Sequence, residues 1–175
     1  MNRLLIIVCF FTTHFSCAQK AKWNEVIVDN KSTYDIPNEG KVVNTLFDVP
    51  ETRDTVRSAM ILDNDTLFTI LFTKAELRGD TLKILIHQTD AAYHQEYVIT
   101  VIKNRYNITY DLRTPIDPER SIMGTLETKL KLNSLEFKKG KELRGYTEYK
   151  GKCIKGCFQG ESLVTVKGNF MAVIE

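Results

Sequence analysis

Along most of the chain, apolar and polar residues alternate with a period of two. Tyr106, Ile108, Tyr110 and Leu112 interleave with Arg105, Asn107, Thr109 and Asp111. Successive strand side chains point to opposite faces, so such a run has one dry face and one wet face. The same alternation sets Leu126, Thr128, Leu130 and Leu132 against Glu127, Lys129 and Lys131. Near the end, Val164, Val166, Phe170, Ala172 and Ile174 share a face, with Gly168 at the matching position. One-sided runs of this kind predict half-buried antiparallel strands. Turn-forming clusters punctuate them: "LDNDTL" at 62–67, "RGDT" at 78–81, "IKNRYN" at 102–107 and "FKKGKE" at 137–142.

The strands predicted from this pattern are 23–29, 41–48, 55–62, 66–73, 81–87, 95–102, 106–112, 124–132, 142–150 and 162–174. "PETRDTVRSAM" at 50–60 opens with a proline and early acids, as a first helical turn does. Its β-rich sequel reduces it to a single turn. About ten short strands in a single domain predict an all-β antiparallel sandwich. A lipocalin-like barrel is the runner-up, and would imply an internal cavity for a small apolar ligand. The irregular stretch 113–124, with Pro115 and Pro118, favours the sandwich, because a long loop suits a crossing between two sheets.

The first residues follow another pattern. Arg3 precedes the apolar run Leu4 to Phe11, then a polar neck of Thr12, Thr13 and His14. This is the order of a secretory signal, and the run is far shorter than the roughly 20 residues a membrane-spanning helix needs. The region is similar to the signals of exported envelope proteins of Gram-negative bacteria, over these first twenty residues alone. Ser16 and Ala18 are spaced for an ordinary signal peptidase, giving a signal at 1–18 and one exported domain at 19–175. Ser16-Cys17 also resembles the end of a lipoprotein box, in which Cys17 would carry lipid and become the first residue. The expected location is the periplasm, an outer-membrane anchor through Cys17, or the exterior.

Charge narrows the partners. The whole chain carries 24 basic and 22 acidic residues; losing Arg3 with the signal leaves 23 against 22, a balance of +1. That balance, together with export, argues against nucleic acid as a partner and leaves an unidentified protein or glycan. No glycine-rich phosphate loop or G-x-S-x-G elbow occurs, so no cofactor is expected and serine hydrolysis has no foothold.

Cysteine count and compartment act together. Cys9 leaves with the signal, and Cys17 is either removed or acylated, so Cys153 and Cys157 are the remaining thiols of an oxidising compartment. In "KCIKGCF" they flank Ile154-Lys155-Gly156, the length of a three-residue hairpin loop with glycine at its left-handed position. That predicts a disulfide across the first rung of the hairpin.

Two further clusters carry chemistry. His87, Asp90, His94 and Glu96 contain both histidines left after signal removal and supply ligand types for an open metal site, without a familiar ligand spacing. Both histidines are also expected around an ordinary hairpin loop. Asp63-Asn64-Asp65 reads as a turn, lacking the frame of a calcium loop. Residues 138–155 hold seven basic residues and two acids: Lys138, Lys139, Lys141, Arg144, Lys150, Lys152 and Lys155, with Tyr146 and Tyr149 interleaved. This ribbon is a candidate binding surface, or else an edge guarded by lysines. Three functions follow: an exported non-catalytic binding or structural module, a carrier of a small hydrophobic ligand, or a metal-dependent or carboxylate hydrolase.

Overall fold

The computed structural model describes residues 22–36, 41–42, 57–62, 68–89, 94–113, 121–156 and 163–175. These residues form strands and turns, with no helix among them. The strands are β1 (Asn24–Glu25), β2 (Ile27–Val28), β3 (Lys41–Val42), β4 (Arg57–Leu62), β5 (Phe68–Arg78) and β6 (Thr81–Thr89). They continue with β7 (His94–Ile102), β8 (Arg105–Arg113), β9 (Ile122–Leu132), β10 (Glu142–Lys155) and β11 (Leu163–Val173). Hydrogen-bonded neighbours follow the order β1-β8-β7-β6-β5-β4-β11-β10-β9-β2, with β3 beside β5.

This order folds into a β-sandwich with sheets of five and four strands that do not close into a barrel. The hydrogen-bonded path is continuous from one to the other, the β4–β11 pairing linking the β8-β7-β6-β5 strands to β10 and β9. Residues 114–120 of the expected crossing loop at 113–124 lie outside the described residues, and its last three residues, Ile122 to Gly124, are already strand, the start of β9. Between β8 and β9 the N-terminal segment fills the seam. Asn24 and Glu25 pair with Tyr106 and Arg105 of β8, then Ile27 and Val28 pair in parallel with Lys131 and Leu132 of β9. The amides of Val26 and Asp29 donate to the carbonyls of Asn104 and Leu132 at 2.8 and 2.9 Å.

Alternation fixes the inward faces. Leu82, Ile84 and Ile86 of β6, Tyr97, Ile99 and Val101 of β7, and Tyr106, Ile108 and Tyr110 of β8 are buried. They meet Leu130 and Leu132 of β9, Leu143 and Tyr149 of β10, and Val166, Phe170 and Ala172 of β11. The interior also holds a polar link between layers. Tyr97 and Thr147 are hydrogen-bonded between their hydroxyl oxygens at 2.7 Å, and Thr147 donates to the Lys129 carbonyl at 3.3 Å. Burial raises the Tyr97 phenol well above its ordinary range. The Tyr149 ring meets Tyr97 edge-on at 5.9 Å and Tyr110 at 6.0 Å.

Three turns fall where the turn clusters predict. Gly79-Asp80 joins β5 to β6 and Lys103-Asn104 joins β7 to β8, each with a positive φ at its first residue. Gly140, at φ 80°, lies in the turn before β10.

Three expectations are corrected. Residues 57–62 are strand, as the 55–62 segment predicts and not the turn read over 50–60, and pair with both β5 and β11; residues 50–56 lie outside the described residues. Leu126 is exposed, because Lys150 pairs with Glu127 but Gly151 with Thr125, leaving Leu126 as an extra bulge residue. The tight hairpin at Cys153 is not the observed register. β10 continues past it to Lys155, Cys153 pairs with Met123, and the last rung with β11 is Lys152 to Leu163. The β10–β11 connection is therefore longer than three residues. Gly156 does take the left-handed conformation, at φ 69°.

Candidate functional site

Past the seam, residues 29–35 form a strap over the outward face of β9, β10 and β11. The Asp29 carboxylate begins it, accepting from the amides of Lys31 and Ser32 at 3.3 and 3.2 Å and from the Ser32 hydroxyl at 2.6 Å. The Ser32 hydroxyl is the main cause of an Asp29 pKa below the ordinary carboxylate value, with the Lys31 and Ser32 amides and Lys131 adding to it against a desolvation cost. Tyr34, at φ 48°, is buried and donates to the Asp29 carbonyl at 2.9 Å. Burial, then the Asp29 charge, raise its phenol pKa. Two side chains of the sheet hold the strap by its backbone: Arg144 donates to the Thr33 carbonyl at 3.5 Å and Asn169 to that of Asp35 at 2.9 Å.

Between strap and sheet lies a groove of about 730 Å³, lined on one side by residues 31–35 and on the other by Lys129, Lys131, Tyr146, Glu148 and Asn169. Register brings these sheet residues together: Tyr146 pairs with Lys131 and Asn169, and Glu148 with Lys129. Lys129 reaches the Glu148 carboxylate at 3.3 Å and Lys131 reaches Asp29 at 3.7 Å. Desolvation, reinforced by Glu148, pushes the Tyr146 phenol up to about 12. The groove thus offers hydroxyl, amide, carboxylate and ammonium groups beside an aromatic ring, a donor and acceptor set suited to orienting a polar ligand.

Strand alternation divides the basic ribbon. Arg144, Tyr146, Lys150 and Lys152 share the outward face, whereas Tyr149 points inward, 2 % exposed, and leaves the candidate surface. Across that face charges are paired: Lys150 meets Glu127 at 3.6 Å and Arg144 bonds Glu142. Lys138, Lys139 and Lys141 are exposed in the turn before β10, and Lys155 is exposed at its end.

In the other sheet, His87 pairs with Glu96 and Glu96 with Asp111, giving one outward rung that continues to Phe72. Phe72 and His87 stack with centroids 6.0 Å apart. His94 is the first residue of β7, opposite Thr89 and Arg113. Asp90 and the His94 side chain lie outside the described residues. No cluster of three or more His, Cys, Asp or Glu able to hold a metal occurs among the described residues. Cys153 is buried, and Cys17 and Cys157 lie outside the described residues.

Sequence reasoning missed Asp111, although counting outward from the Lys103-Asn104 turn places it opposite Glu96. It also missed the strap side of the groove and, on the sheet side, Lys129, Lys131, Glu148 and Asn169, so that of the groove residues it had named Tyr146 alone. The Asp29-x-x-Ser32 turn signal was available for the strap, but nothing local says which sheet face it crosses. No helix of the described residues is long and apolar enough to cross a membrane. No family model, curated protein or solved structure matches the chain.

Proposed function

We propose that this is an exported, non-catalytic binding module of the cell envelope that takes a glycan into the groove under the strap. The supporting observation is the groove itself: a built concavity whose polar groups are held by strand register and whose aromatic side chain, Tyr146, is partly desolvated. A sugar presents hydroxyls that both donate and accept, together with a weakly apolar ring face. Asn169, Glu148 and the lysines match the first, and Tyr146 the second. A carrier of apolar ligands is less well supported, because the described Phe, Tyr and Leu side chains of the interior pack against one another. The signal sequence supports export, and the pair Cys153 and Cys157 is proposed as the disulfide of this module.

The test is binding of the exported protein to immobilised envelope polysaccharides and their oligosaccharide fragments. Tyr146→Ala and Asn169→Ala should each weaken binding by about tenfold or more. Charge reversal at Lys138, Lys139 and Lys141 should leave it nearly unchanged, since those residues do not line the groove. Binding that survives both groove changes, or no binding to any glycan, rejects the reading.

A further inference from the structure

Large exposed aliphatic side chains gather at one corner of the four-stranded sheet. Ile122 opens β9 at 48 % exposure, Ile154 lies near the end of β10 at 54 %, and Leu163 opens β11 at 60 %. Antiparallel register places all three at the same end: Ile122 pairs with Lys155, and Leu163 with Lys152. The corner is shaped for its aliphatic cover. A Cβ on Gly124 would lie 2.9 Å from Ile154 Cδ1, so Ile154 lies over bare backbone. Leu126, the exposed bulge residue, follows four residues after Ile122 along β9. Lys152 and Lys155 are the rung partners of Leu163 and Ile122.

The direction of the N-terminal segment gives this corner an occupant. Val28, Ile27 and Asn24 lie beside Leu132, Lys131 and Thr128, and the Lys22 ammonium reaches the Leu126 carbonyl at 3.5 Å. Read backwards, the chain runs along β9 towards Ile122. Only residues 18–21 separate Cys17 from Lys22, a link of at most about 18 Å. The proposed acylation site is thus within short reach of the aliphatic corner, and Lys22 adds positive charge beside β9.

We propose that this corner is turned towards an anionic lipid surface, with Ile122, Ile154 and Leu163 entering the interface and the neighbouring lysines facing lipid phosphates. A single acyl chain gives only marginal anchoring, and a second apolar and basic contact makes it stable. The groove lies at the other end of the same strands: Tyr146 is eight residues from Ile154 along β10, about 26 Å, so the ligand site is held clear of the bilayer.

The experiment uses the exported chain with Cys17→Ser, which removes acylation and leaves the Ser16 and Ala18 cleavage signal. Vesicles of phosphatidylethanolamine and phosphatidylglycerol are mixed with the protein and separated by flotation. The chain's one tryptophan, Trp23, stands next to Lys22 and reports contact through quenching by brominated lipid. The expected result is measurable flotation and Trp23 quenching. Both should fall by about tenfold or more in Ile154→Ser/Leu163→Ser, and neither in Ile27→Ser, an exposed aliphatic at the opposite end of the sheet. Circular dichroism and thermal melting confirm folding, and Leu163→Ser alone carries the test if the double variant unfolds. No flotation of the Cys17→Ser protein, or equal loss in the Ile27→Ser control, overturns the proposal. Both readouts are independent of glycan binding.

Discussion

Gly145 pairs with Phe170, and the Phe170 ring covers its bare backbone. An added Cβ would collide with the ring and sit 2.7 Å from the Lys131 carbonyl, and the second contact is backbone that cannot swing aside. Gly145→Ala is therefore expected to destabilise by about 2 kcal/mol, read as a lower urea midpoint. The Tyr97 and Thr147 hydroxyls make a second test. Thr147→Val removes the partner of a buried phenol and should cost about 1–3 kcal/mol, more than Tyr97→Phe, which leaves Thr147 its Lys129 carbonyl. The double variant should recover part of the loss in a mutant cycle. Inward residues such as Ile108 and Leu130 were legible from alternation. Tyr149 was legible too, falling between Thr147 and Gly151 on the dry face, but its position within a lysine-rich stretch obscured its period.

The turn that opens the strap is held by the Asp29 carboxylate. Asp29 has a folded pKa below its ordinary value of 3.8, so its contribution is present above that value and is lost as pH falls through the lower folded value. Acidification below about pH 4 should loosen the strap and weaken groove binding while the sandwich itself persists. Asp29→Ala should weaken binding similarly at neutral pH, with the pH dependence in this range reduced. Ligand titration from pH 3 to 7 would check both. Strand positions were well marked in the sequence because apolar alternation and turn residues agree. The register beyond a bulge was not, since one extra residue at Leu126 is invisible to a period-two pattern. The same limit affects the cysteine pair. A disulfide between Cys153 and Cys157 would now clip the start of a longer connection, contributing about 2 kcal/mol. Intact mass after alkylation without reductant should show neither thiol modified.

At the scale of the whole molecule, the sandwich was legible from strand number and from the turn residues between strands. The candidate groove was not, because it is made by segments far apart in sequence: the strap, β9, β10 and β11. Fold class is set by local patterns that recur along the chain, whereas a site between distant segments depends on which outward face an irregular segment crosses. The seam adds a requirement of order in time. Lys22 and Asn24 bond to β9 residues 104 positions downstream, so these contacts form only once β9 is available. The β5–β6 and β7–β8 hairpins pair locally and form early, and the seam closes late. Pulsed hydrogen exchange should find the Val26 and Asp29 amides protected after those of Ile84 and Ile99. For the export proposed above, a segment at 22–29 that docks last would stay threadable until β9 has arrived.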